Sequence, residues 1–177
     1  MKTPASVAGH PIHPMLITIP VGLWIFSLAC DIIAFWARDS TVWHLVSFYS
    51  MAGGVVGALV AIIPGLIDMA SMKDPHIKRI ALWHMGVNVV VIVAFAINTG
   101  LRAATSEPPI FAVVLSFIGV VLLGFSGWLG AEMVHVHRVG VLEISPTTAE
   151  PGTSKGTGAD KPAQRPPEGK TPRRFSF

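Results

Sequence analysis

Charge is what this chain has least of. Only 13% of its 177 residues are Asp, Glu, Lys or Arg, while 51% are hydrophobic; a soluble domain carries about a quarter charged residues. The mean hydropathy is +0.60. Asp31 and Asp68 are the only charged residues inside four long apolar runs, about 15–36, 48–69, 80–101 and 110–131. Runs this long and this poor in charge exclude a soluble globular class and predict an integral membrane protein. Cysteine is nearly absent as well. The single thiol, Cys30, lies within the first run, which excludes an intramolecular disulfide. It reads as a buried thiol, because Ser27-Leu28-Ala29-Cys30 lacks the large aliphatic residue of a lipoprotein cleavage site and the apolar stretch continues through Trp36. A His-Pro segment precedes that run, so no cleavable signal is expected. No serine or cysteine stands beside a base as a nucleophilic hydrolase requires, and no internal repeat is legible.

The formal net charge of +3 belongs to the end of the chain. Through Ile144 seven basic residues cancel seven acidic ones, whereas from Ser145 onward six face three. That excess implies nothing about nucleic acid, and no nucleic-acid partner is expected. Residues 143–177 are rich in Pro, Gly, Thr and Lys and read as a disordered basic tail, able at most to touch anionic lipid.

Each run is long enough to cross a hydrocarbon core of about 30 Å at 1.5 Å per residue. The connections at 37–47, 70–79 and 102–109 are short, which forces neighbouring helices to be antiparallel. The expected fold is therefore an all-α, up-down four-transmembrane-helix bundle over residues 1–142. Pro20 predicts a kink near the start of the first helix and Pro64 a break one turn before Asp68. Gly53, Gly57, Ala61 and Gly65 form a ridge of small residues on the second run, and Gly119, Gly124, Gly127 and Gly130 stud the fourth. Such faces let another helix approach closely, from within the chain or from a second copy in a homo-oligomer. Most tryptophans (Trp24, Trp36, Trp43, Trp83, Trp128) lie near run ends, as interfacial anchors do. Asp31 is explained by a structural ion pair, Arg38 being two turns beyond, or by a hydrogen bond to a neighbouring helix.

What the chain does have is histidine, and in a pattern. An up-down bundle brings the start of runs one and three and the end of runs two and four to one face. His10, His13, His76, His84, His135 and His137 all fall there, with Asp68 and Glu132; only His44 falls opposite. Imidazoles and carboxylates gathered at one membrane depth suit a metal or a haem iron and are costly without such a use. Lys2, Lys73, Lys78, Arg79 and Arg138 flank this face against Arg38 and Arg102 on the other. The imbalance predicts that both termini and the histidines are cytoplasmic.

Among these residues, His10 and His13 sit on a strut stiffened by Pro11 and Pro14. His84 lies one turn into run three, with Asn88 on the same face and able to support a ligand or cofactor. Asp68 and Glu132 can orient a ligating histidine, ligate directly, or pair with Lys73, Lys78 or Arg79. His135 and His137 point in different directions on a helix, so at most one faces the bundle. Met15, Met69, Met72, Met85 and Met133 share this side, which admits copper chemistry as a lesser reading. The structural alternative is that these polar groups only satisfy proline-broken helices.

Four separated motifs occur in order: Gly9-His10-Pro11-Ile12-His13-Pro14, Asp68, His84-x-x-x-Asn88, and Gly127-Trp128-Leu129-Gly130-x-Glu132 running into His137 and Gly140-Val141. Over about residues 8–142 the chain resembles the DUF2231 family of small bacterial four-helix membrane proteins. The resemblance favours His137 over His135, since the family segment usually reads His-Gly-Val-Gly-Val; here Arg138 replaces the first glycine. Some relatives are joined to or encoded beside Rieske-type or cytochrome-like modules, which implies redox work.

The reading that follows is one b-type haem near the cytoplasmic face, held by His84 and one of His10, His13 or His137, with Asn88 in support. Asp68, Glu132, Lys73, Arg79 and Arg138 would be charge partners, the basic ones meeting propionates. A bare Cu, Fe or Zn ion on His10, His13, His84 and His137 is the alternative. The function would be electron transfer with a redox partner protein. A non-redox partner subunit of a membrane complex is the competing class, and a transporter fits poorly because no ionisable residue sits at mid-bilayer depth.

Overall fold

The computed structural model describes residues 4–8, 10–105 and 107–141; the tail expected over 143–177 lies outside the described residues. The chain opens with a two-stranded antiparallel pair, β1 (Ser6–Val7) and β2 (His10–Pro11). Five helices follow: α1 (Ile12–Leu16), α2 (Thr18–Ala34), α3 (Ser40–Ala70), α4 (Pro75–Ala103) and α5 (Ile110–His135). With α1 and α2 taken together, four helical segments are long and apolar enough to cross a membrane. They pack up-down, α2 most closely on α3 and α4 on α5.

Helices α3 and α4 are longer than their apolar runs because polar caps, not hydropathy, set their starts. Asp39 accepts from the Thr41 backbone N–H at 3.0 Å and starts α3 eight residues before its run. Asp74 accepts from His76 at 2.8 Å and Ile77 at 3.4 Å, with Pro75 in the first turn, and starts α4. Both arrangements satisfy N–H groups that a helix start leaves unpaired. The kink expected from Pro20 takes another form. The helix is interrupted at Ile17, so Pro20 falls in the first turn of α2, where its missing N–H breaks no bond. Pro64, by contrast, stays inside a helix that continues to Ala70.

The outer surface is apolar: Ile25, Val56, Val90, Val121 and other large hydrophobic side chains are about half exposed, as lipid-facing residues are. The inner core holds Trp24, Met51, Ala58, Val91, Phe95 and Leu123. Trp24 departs from the interfacial expectation. It is 2% exposed, stacks face to face on Phe95 with ring centroids 4.4 Å apart, and donates its indole N–H to the Met51 carbonyl at 3.2 Å. The other tryptophans are partly or largely exposed.

Candidate functional site

The two ends of the bundle differ in what fills them. Below the Trp24–Phe95 layer, towards the described ends of the chain, lies a cavity of about 630 Å³ with mostly apolar walls. Its polar lining includes His13, His84, Asn88, Asp68 and His135. Apart from Asp68, which pins the start of the chain, the polar groups there include two imidazoles from different helices.

His13, on α1, brings its Nδ1 to 2.9 Å from the Ala61 carbonyl of α3. A carbonyl only accepts, so Nδ1 carries the proton and donates, and Nε2 keeps its lone pair. Ala61 stands one turn before Pro64, whose ring opens the ladder in this part of α3. The ring lies against Gly65: a Cβ there would come within 2.9 Å of His13 Cε1 and Nδ1. His84, on α4, repeats this on α5. Its Nδ1 donates to the Ser126 carbonyl at 2.8 Å, the Ser126 hydroxyl lies 3.0 Å from the same nitrogen, and the ring rests on Gly130, where a Cβ would stand 3.4 Å from Cε1. In both cases the accepting residue is four positions before the glycine, so one helix face supplies the acceptor and the space. Both imidazoles line the one cavity.

The halves differ at one point. Asn88 donates from Nδ2 to His84 Nε2 at 3.0 Å and to the His84 carbonyl at 3.0 Å, whereas His13 has apolar Ile17 four residues on.

The remaining predicted residues are placed as follows. His10 is exposed, lies off the cavity, and its Nδ1 donates to the Ala8 carbonyl at 3.1 Å. His137 is off the cavity too, edge-on to His76 at 5.4 Å, while His135 is among the lining residues. Asp68 is buried and its Oδ1 accepts from the Ala5 backbone N–H at 3.0 Å, tying the N-terminal strand pair over the cavity. Glu132, Lys73, Arg79 and Arg138 do not line it. Met69, Met72, Met85 and Met133 do, and Met15 is 63% exposed. Arg138 occupies left-handed backbone, φ 52°, and Gly140 follows at φ 77°. Both positions thus take a conformation that glycine adopts most easily. Among the described residues, no group of three or more His, Cys, Asp or Glu is arranged to hold a metal ion.

The opposite end is filled by a buried ion pair. Asp31 does not pair with Arg38. Its carboxylate takes a two-pronged contact from Arg102 of α4, Nη1 to Oδ1 at 2.7 Å and Nη2 to Oδ2 at 2.6 Å. Arg102 Nε donates to Asn98 Oδ1 at 3.0 Å, Nη1 to Ser47 at 3.1 Å and Nη2 to Ser116 at 3.3 Å. All five guanidinium N–H groups are thus accounted for. Ser47 donates to Asp31 at 2.7 Å, and Asn98 Nδ2 donates to the Ala112 carbonyl and Ser116 hydroxyl, both at 2.8 Å. Sequence reasoning missed Arg102 because it lies just past an apolar run and reads as a loop residue. Gly65, Gly130, Ser126 and Ala61 were missed as site residues because what they supply is a carbonyl and an empty space.

Across residues 9–143 the chain matches the family model described as predicted membrane protein (DUF2231). No curated protein and no solved structure matches it. The chain belongs to the DUF2231 family, and it is a multi-pass membrane protein with four candidate spans.

Proposed function

We propose that the cavity binds one b-type haem, which His13 and His84 would hold, and that the protein carries electrons at the cytoplasmic side of a bacterial inner membrane. One observation carries this reading: two histidines on different helices line one cavity with Nε2 as the accepting nitrogen, that of His84 engaged by Asn88, and each ties its Nδ1–H to a neighbouring helix's carbonyl. A ligating imidazole is normally oriented and made more basic by this bond. That there are two favours a haem over a bare ion, since a porphyrin brings its own four nitrogens. The cavity, about 630 Å³, is in the range for cofactor sites.

When bound, a low-spin six-coordinate haem supplies one-electron transfer. The chain's own part is to hold and exclude. Apolar walls keep water from the ligands, and Asp68 fastens the N-terminal strands beside the opening. Lys73, Arg79 and Arg138, at the same end, are the candidates to meet propionates. The cytoplasmic assignment rests on the basic residues flanking this end, and it gains from the burial of Arg102, which leaves Arg38 as the exposed basic residue opposite.

The competing reading is a non-redox partner subunit, favoured by the position of Ala61 one turn from Pro64: His13 there would only satisfy a disturbed turn. A reduced-minus-oxidised spectrum of protein purified from haem-supplemented cells separates the two. Sharp α-region bands lost in His13→Ala and in His84→Ala, but kept in His10→Ala and His137→Ala, support the haem. A colourless preparation that also lacks stoichiometric Cu, Fe or Zn overturns it.

A further inference from the structure

The likeness between His13 and His84 runs the length of the bundle. An offset of 71 residues carries His13 to His84, Trp24 to Phe95, Ser27 to Asn98 and Asp31 to Arg102. An offset of 65 carries Ser47, Met51, Gly54, Ala58 and Ala61 of α3 to Ala112, Ser116, Gly119, Leu123 and Ser126, which are the buried residues of α5. Matching burial is weak evidence alone, since any two helices with one inner face can be aligned so. The bonds go further. Ser27 Oγ donates to the Ser47 carbonyl at 2.9 Å, as Asn98 Nδ2 donates to that of Ala112 at 2.8 Å. A Cβ on Gly54 would strike the Trp24 ring, and one on Gly119 the Phe95 ring. Then there are contacts between mates: Trp24 stacks on Phe95 at an interplanar angle of 5°, and Asp31 pairs with Arg102. A residue touching its own counterpart is the mark of a two-fold axis.

We infer that the chain is a fused pair of like helical hairpins, residues 12–70 and 75–135, related by a two-fold axis along the bundle, and that the inner face of each fits a second hairpin of opposite charge at that axis. The opposite charge is what selects the pairing. Two copies of the first hairpin would bring Asp31 against Asp31, and two of the second Arg102 against Arg102, in an apolar interior where an uncompensated charge is costly. Only the mixed pair neutralises the axis, and it places one histidine from each half at the cavity. The repeat is hidden in the sequence because the two offsets leave few identities: His13/His84, Gly54/Gly119, Val55/Val120, Val56/Val121 and Gly65/Gly130. This inference stands independently of what the cavity binds.

The test exchanges the axis residues between halves in the full chain. The first set is Trp24→Phe, Ser27→Asn, Asp31→Arg, Ser47→Ala and Met51→Ser; the second is Phe95→Trp, Asn98→Ser, Arg102→Asp, Ala112→Ser and Ser116→Met. Both sets together should give a monodisperse protein in detergent, with an unfolding midpoint within about 5 °C of the parent. Either set alone, which puts like charges on the axis, should lose more than about 10 °C or aggregate. The smaller exchange, Asp31→Arg with Arg102→Asp, should recover at least half of the midpoint lost by the more damaged single variant. A full exchange no more stable than its halves overturns the repeat even if the smaller exchange recovers. Failure of the smaller exchange to recover overturns the role given to the charge pair.

Discussion

At one end of the bundle Asp31 of α2 meets Arg102 of α4; eighteen residues earlier in each case, His13 of α1 and His84 of α4 line a cavity. The first pair closes its end because the side chains complete each other: a carboxylate matches a guanidinium, and Ser47, Asn98 and Ser116 take up the remaining N–H groups. The second pair cannot do this. With both Nδ1–H groups committed to backbone carbonyls, each imidazole has only a lone pair left, that of His84 accepts from Asn88, and two lone pairs cannot bond each other. Complementary groups on an axis make a lock, and like groups leave a space.

The contrast breaks hardest at the closed end. Arg102→Ala leaves Asp31 buried without its counter-charge and should cost about 3–5 kcal/mol, read as a large fall in unfolding midpoint in detergent. Asp31→Leu with Arg102→Met should recover most of it, since a well-packed apolar pair of similar volume replaces a buried ion pair at little cost. If the double variant is no better than Arg102→Ala, the end is closed by something other than its charges.

At the open end the two glycines should behave differently. The Gly65 Cβ position is 2.9 Å from the His13 ring, whereas that of Gly130 is 3.4 Å from His84. Gly65→Ala should therefore displace the imidazole, at a cost of about 1–3 kcal/mol of overpacking that outweighs the gain in helix propensity. Gly130→Ala should be neutral or stabilising by up to about 1 kcal/mol. Equal effects on melting in the two variants would mean that the rings are not held by these faces.

Arg138 offers a smaller comparison. At φ 52° a residue with a Cβ is strained by about 1 kcal/mol or more relative to glycine, so Arg138→Gly should be more stable than Arg138→Ala by about that amount. The smallest effect belongs to the site itself. Each imidazole–carbonyl bond inside the membrane is worth only about 0.6 kcal/mol, so His13→Ala in the cofactor-free protein should barely move the melt. A loss as large as that of Arg102→Ala would make His13 a structural residue.

Helix number, order and direction could be read from the chain, because a run of apolar residues near twenty long has few options in a bilayer and short loops leave only an antiparallel return. The ends could not, since they depend on single capping side chains, Asp39 and Asp74, and on where Pro20 falls relative to a helix start. The site was half legible. The run order alone gathered His13, His84 and Asn88 at one face, together with His10 and His137, which lie off the cavity. What separated them was the neighbouring helix, through the carbonyls of Ala61 and Ser126 and the bare Cα of Gly65 and Gly130.

From composition and spacing alone the molecule was determined to be a four-span bundle with six of its seven histidines at one end, because burial of backbone in lipid and the alternation of short loops admit little else. The partner of Asp31, the pairing of Trp24 with Phe95, and the equivalence of His13 and His84 were decided only by tertiary packing. Such contacts join helices far apart in sequence, and their register is set by how side chains of unlike type fill one shared axis, which no local pattern records.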